Sequence, residues 1–180
     1  MLIIGDFEVQ YNSQLWYTKQ MKITILTVGK IKEKFYTQAI EEYVKRLSRY
    51  CKLSIIEVAD EKTPDHASDT VEMQIKDKEG ARLLKHINSD SAFVVALALE
   101  GEMLDSVLLA TKVESLGIAG TSHIIFVIGG SLGLSNQVLK QADYKLSFSK
   151  MTFPHQLIRV VLLEQIYRCY RIITHEPYHK

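Results

Sequence analysis

Residues 122–159 read SHIIFVIGGSLGLSNQVLKQADYKLSFSKMTFPHQLIR, and the fold is decided here. An apolar run, Ile124 to Ile128, ends on Gly129-Gly130-Ser131-Leu132-Gly133. A short amphipathic segment follows, about Ser135–Ala142, and then a second strand-like run, Tyr144–Phe148. That run breaks into Ser149-Lys150-Met151-Thr152-Phe153, and Pro154 opens a long apolar helix. Two strand ends therefore deliver a glycine-rich loop and a hydroxyl-bearing loop beside one helix start. Open α/β sheets hold their ligands outside the carboxyl ends of the strands, often at a switch point. The chemistry is expected in that crevice.

The same alternation extends toward the N-terminus. Strands are expected at Lys22–Val28, Lys52–Val58, Ala92–Leu99 and Ser122–Ile128. Helices are expected at Lys34–Arg49, Thr70 to about Ile87 and Leu104–Leu116. Ser68 or Asp69 is a candidate N-cap for the second helix, and Gly80 within it costs about 1 kcal/mol relative to alanine. Glu100-Gly101-Glu102 is read as the end of the third strand. Strand and helix alternating with short connections specify a single-domain α/β fold, a mostly parallel sheet flanked by helices.

The final helix, Pro154 to about Thr174, is apolar nearly all round, leaving a narrow polar stripe at Glu164, Arg168 and Arg171. Such a helix is buried on more than one side. A chain of 180 residues does not enclose it alone, which predicts a homodimer packed through it.

A formal net charge of +1 excludes strong non-specific nucleic-acid binding, because that depends on neutralising many phosphates. Cys51 and Cys169 are too few for a disulfide framework or a zinc site, and point to a reducing, cytoplasmic setting. No apolar run approaches the roughly 20 residues that span a bilayer, so no membrane partner is expected. Residues 1–20 lack a positive n-region and a clean apolar stretch, which argues against a signal peptide. Met21 begins a well-formed strand. Residues 1–20 are therefore read as an N-terminal extension outside the core, with an added edge hairpin as the alternative, and 21–180 as the domain.

Several chemistries fail on their motifs. The phosphate-cradling P-loop needs Gly-Lys-Ser/Thr, which is absent. A dinucleotide fingerprint belongs after the first strand, whereas these glycines follow the fourth. No Gly-x-Ser-x-Gly elbow is present, although Ser131 sits near such a pattern. His66 and His86 fit solvated loop and helix ends, and His123 fits a residue just preceding a strand. His155, at a helix start beside the crevice, is the candidate functional histidine. The glycines fit close ligand approach and a tight structural turn equally well. The tail, Thr174 to Lys180, can be a frayed terminus. Alternatively, Tyr178 and His179 can stack on a base while Lys180 and Arg159 meet phosphate.

Taken together, VIGGSLGL (Val127–Leu134), LSFSKMTFPHQLIRVVLLEQIYR (Leu146–Arg168), the terminal PYHK (Pro177–Lys180) and the opening MKITILTVGKIKE (Met21–Glu33) closely resemble one family. It is that of the small ribosomal RNA pseudouridine methyltransferases of the SPOUT, or α/β-knot, superfamily. The resemblance covers Met21–Lys180 in one register. It implies a C-terminal trefoil knot, a homodimer, and methyl transfer from S-adenosyl-L-methionine without a metal. The implied target is ring nitrogen 3 of a pseudouridine in helix 69 of 23S ribosomal RNA, on the ribosome. The family's cofactor positions fall on Leu97, Gly129, Phe148, Ser149, Lys150, Met151, Thr152 and Phe153. The implied catalytic set is His155, Arg159, Tyr178, His179 and Lys180, with His155 or His179 accepting the imide proton. One departure stands out: relatives often carry an acid after the third-strand leucine, where this chain has Ala98, so Glu100 would have to substitute. Transfer RNA methylation is the nearest alternative, disfavoured by the lack of an added RNA-binding domain. A non-catalytic ribosome-binding module is disfavoured by the intact His155, Arg159 and tail set.

Overall fold

The computed structural model describes residues 21–87 and 91–178. The expectation for residues 1–20 lies outside them. Five parallel strands alternate with five helices: β1 Lys22–Val28, α1 Lys34–Leu47, β2 Lys52–Val58, α2 Asp69–Ile87, β3 Phe93–Met103, α3 Ser106–Ile118, β4 His123–Ile128, α4 Asn136–Gln141, β5 Tyr144–Ser147 and α5 His155–Ile173. The sheet runs β2-β1-β4-β3-β5.

Strand position follows from side-chain chemistry. β4, HIIFVI, is buried at every residue and sits at the centre, whereas β2 carries Ser54 and Glu57 and is an edge only half covered. Buried parallel strands read as continuous apolar runs because helices cover both faces. Alternate residues then divide into two cores. Ile23, Ile25, Ile124, Phe126 and Val95 face α1, α3 and α5, with Leu47, Leu109, Leu162 and Ile166 packed on them. Leu26, Val28, Ile125, Val127 and Val94 face α2 and α4, meeting Leu83, Ile87 and Val138.

Three local expectations are corrected. β3 does not end at Leu99. Its register against β5 jumps, so that Leu97 and Glu102 both pair with Leu146 and the intervening residues bulge. A Cβ on Gly101 would lie 2.6 Å from the Leu146 carbonyl carbon, so only glycine lets the bulge cross there. The acidic residues that look like a terminator are the bulge and its return, where Glu102 accepts a hydrogen bond from the Tyr144 hydroxyl at 2.7 Å. Gly80 is not an idle weakness of α2, since a Cβ there would stand 2.2 Å from Ser135 Oγ, and its absence brings α2 and α4 together. His123 does not precede β4 but starts it, buried, with Nε2 2.9 Å from the Thr24 hydroxyl.

Helix boundaries move by one or two residues. Asp105 caps α3 by accepting from the Leu108 amide at 2.7 Å. Pro154 is the cap residue of α5 rather than its first helical residue. α5 lies between α1 and α3 and buries Leu162, Leu163, Ile166, Cys169, Tyr170 and Ile173. Its outer residues, including Val160 and Val161, are half-buried in the single chain. No helix among the described residues is long and apolar enough to cross a membrane.

Candidate functional site

β1 and β4 are neighbours, yet the chain winds outward from β1 to β2 on one side and reaches β3 and β5 on the other. A crevice opens beyond the carboxyl ends of strands where winding reverses. Beside that point, beyond the ends of β3, β4 and β5, the structure holds a cavity of about 630 Å³, a size that suits a small organic ligand. Its walls are the β3 bulge, the glycine turn after β4, the loop after β5 and the first turn of α5.

The glycine turn is closed on itself. Gly130 and Gly133 form an isolated bridge, with the Gly133 amide donating to the Gly130 carbonyl at 3.1 Å. Gly133 has φ +85°, a left-handed conformation that favours glycine. A Cβ on Gly129 would come within 2.5 Å of the Gly133 backbone. Of the two explanations open for these glycines, the tight turn accounts for Gly129 directly, and the turn in turn forms the cavity wall.

The loop after β5 is held by its own hydroxyls. Ser147 Oγ donates to the Ser149 carbonyl at 3.1 Å, and Ser149 Oγ accepts from the Met151 amide at 3.0 Å. Of the eight expected cofactor residues, Leu97, Gly129, Phe148, Ser149, Met151, Thr152 and Phe153 line the cavity. Lys150 does not; it is exposed. Ala98 and Leu99 from the bulge add to the wall, and Glu100, the proposed substitute acid, is exposed outside it. Among the described residues lining the cavity none is Asp, Glu, Lys or Arg, and His155 is the one histidine.

His155 stands at the mouth. Burial, then the charge of Arg159, holds its imidazole below the ordinary histidine pKa; Asp60 opposes this and Lys32 adds to it. The ring is thereby biased toward the neutral form that can accept a proton.

Arg159 is placed differently from expectation. It is 1% exposed and lines a smaller cavity of about 280 Å³ between α1 and the sheet. Nη1 pairs with Glu57 at 2.8 Å, and Nη2 donates to the Val28 and Gly29 carbonyls at 2.8 and 2.9 Å. It therefore ties the end of β1 and the edge strand to α5. One turn of helix separates it from His155, and from there it acts on the imidazole by charge.

Tyr178 is also away from the crevice of its own chain. Its hydroxyl donates to Glu164 Oε1 at 3.4 Å, its ring meets Tyr167 edge-on at 5.1 Å, and Arg168 lies over it at 4.8 Å. Glu164 is nine residues beyond His155, about 13 Å along a helix axis. His179 and Lys180 lie outside the described residues. Sequence reasoning missed Glu57, Asp60 and Gln156, whose Oε1 accepts from the Lys32 amide at 2.8 Å and so pins the chain entering α1 to α5. Their partners are 102, 95 and 124 residues away in sequence, and no spacing signals such pairs.

A family model described as "Predicted SPOUT methyltransferase" matches residues 21–179. The curated protein "Ribosomal RNA large subunit methyltransferase H" of Bifidobacterium adolescentis is 68% identical over 160 residues, 89% of this chain and 100% of its own length. The protein of the same name from Clostridium kluyveri is 62% identical over the same shares. Among solved structures, a probable methylase family protein from Haemophilus influenzae superposes with a TM-score of 0.50 at 15% identity, covering 91% of this chain and 71% of that one. That likeness concerns the fold.

Proposed function

The chain belongs to the SPOUT methyltransferase family, and from that premise we propose that it methylates ring nitrogen 3 of a pseudouridine in helix 69 of 23S ribosomal RNA. It does so as a homodimer, with S-adenosyl-L-methionine as methyl donor, in the cytoplasm with its ribosomal substrate. The observation that carries this reading is the cavity formed by the glycine turn and the loop after β5, in a chain whose relatives at 68% identity bear a ribosomal RNA methyltransferase name. The reading includes a C-terminal trefoil knot. In its favour, β5 lies at the sheet edge, whereas the helix that follows returns to pack between α1 and α3.

The residues present fit the donor. Apolar walls from Leu97, Phe148, Met151 and Phe153 suit a purine ring, and strand-end backbone groups at Gly129 and Ser149 suit its polar edge. S-adenosyl-L-methionine supplies, when bound, a methyl group already activated by its sulfonium. What the protein adds is alignment and proton removal. Neutral His155 at the cavity mouth accepts the imide proton of the target ring, directly or through water, and His179 is the other candidate. Burial first, and then Arg159 from its pair with Glu57, favour the neutral form of His155. Since Tyr178 is anchored far along α5 in its own chain, the tail closes the crevice of the other subunit, where Tyr178 stacks on the target and Lys180 meets phosphate. A single subunit with a net charge near zero does not hold RNA by its overall field, so recognition requires a shaped substrate.

Incubation with ribosomes from a strain lacking the modification, followed by mass spectrometry of the RNA, tests this. One methyl added to a helix 69 pseudouridine is expected. Methylation only of transfer RNA, or no transfer to any RNA, would overturn it.

A further inference from the structure

A buried acid touches the glycine turn without lining the cavity. Glu79, in the middle of α2, is 4% exposed. Its Oε1 accepts a hydrogen bond from the Glu61 amide at 2.9 Å, while Oε2 has no partner among the described residues. A Cβ built on Gly130 would meet Oε2 at 2.8 Å and Oε1 at 3.2 Å. Gly130 does not have a positive φ, so its backbone does not demand glycine; its close neighbours are the Glu79 carboxyl and, at 3.2 Å, Val28 Cγ1. The next residue, Gly80, makes the matching approach to Ser135, at the far end of the same loop. Two successive residues of α2 thus grip both ends of the segment from Gly130 to Ser135. On the other side, the loop held through Glu61 carries Asp60, whose charge reaches His155, and Thr63, whose hydroxyl is 3.5 Å from that of Ser131.

Burying a carboxyl with one empty oxygen is costly. Burial raises its pKa; the Glu61 amide and Arg82 counter this, while Asp60 and Glu61 add to it. An apolar side chain would fill the space without that penalty. It could not accept the Glu61 amide while pressing on Gly130.

We propose that Glu79 is a positioning residue for methyl transfer: it locks the glycine turn to the loop after β2, so that one side chain sets both the glycine-turn wall of the cavity and the placement of Asp60. This rests on the reading of the cavity as the S-adenosyl-L-methionine site. The test is calorimetry of cofactor binding to the wild type, E79A, G130A and the double variant, with dimer state and melting temperature followed in parallel. E79A and G130A should each weaken binding by about tenfold or more, as displacement of a positioning element does. The double variant should bind more tightly than G130A alone, because removing the carboxyl takes away the closest contact of the added methyl group and leaves only that with Val28 Cγ1 at 3.2 Å. E79Q, whose amide oxygen can still accept from Glu61, should recover most of the affinity that E79A loses. E79D, one methylene shorter, replaces E79A in the cycle if that variant does not fold. In methyl-transfer assays, E79A should also move the acid limb of the pH profile to lower pH, since Asp60 opposes the effects of Arg159 and Lys32 on His155. Undiminished binding by E79A, a double variant no better than G130A, or an unmoved acid limb overturns the proposal. Failure of the wild type to bind overturns the cofactor reading itself, and this inference with it.

Discussion

Gly129, His155 and Arg159 carry separate tasks although they lie within one site region. At Gly129 the nearest backbone atom to an added Cβ is 2.5 Å away, so even a small side chain must open the turn. Gly129→Val should abolish measurable S-adenosyl-L-methionine binding in calorimetry, and unchanged affinity would move the site elsewhere. Arg159→Ala would leave Glu57 and two backbone carbonyls without their buried donor. Glu57 is 30% exposed, so the loss should fall below the roughly 3–5 kcal/mol of a fully buried pair, at about 2–3 kcal/mol in denaturant unfolding; a loss below about 1 kcal/mol would mark the pair as solvated. His155 has its pKa lowered, chiefly by burial and Arg159. In its proposed role as base it works only when neutral, so activity should be present above its folded pKa and fall as pH drops through it. The acid limb of the methyl-transfer profile should therefore lie below the ordinary histidine value of about 6.5. A limb above it, or one that persists in His155→Gln, would assign the proton to another group.

α5 is the element on which the proposed dimer rests. Its inner face fills the core between α1 and α3, while Val160 and Val161 stay half-buried. An apolar stripe in that condition is suited to a second copy of the chain. Sedimentation at micromolar concentration should give twice the chain mass, and Val161→Lys should weaken the dimer at least about tenfold, as charge placed in a desolvated contact does. A monomeric wild-type protein would remove both the dimer and the shared site. β3 makes the contrasting case: its bulge places Ala98 and Leu99 in the cavity wall, and the acidic bulge residues gave no sign that the strand resumes.

At the scale of the whole molecule, the proposed action of the tail across a dimer interface is open to direct test. Deleting Tyr178–Lys180 should abolish ribosome methylation while cofactor affinity and dimerisation stay near wild type. A mixed dimer of a tail-deleted chain and a Gly129→Val chain separates the geometries. If the tail acts across the interface, the one competent cavity belongs to the tail-deleted chain and receives the intact tail, so activity returns. An assembled but inactive mixed dimer would place the tail's action within its own subunit.

By itself the sequence determined the alternation of strands and helices and the location of the crevice. Those follow from local periodicity: β4 is continuous apolar residues bounded by glycines, and both loops at the cavity start where an apolar run stops. The cavity wall was legible in part for the same reason, since the glycine turn and the loop after β5 are contiguous with their strands, whereas the individual cofactor positions came from the family resemblance, and Lys150 among them does not line the cavity. The tertiary structure alone decided what depends on residues distant in the chain. It turned Arg159 inward to Glu57, across 102 positions, and set Glu79 against Gly130. It also folded Tyr178 back on α5 and carried β3 through its bulge. Such pairings arise because buried charges and hydrogen-bonding groups must find partners wherever packing brings them together, and nothing in the spacing of one segment records which distant segment will supply them.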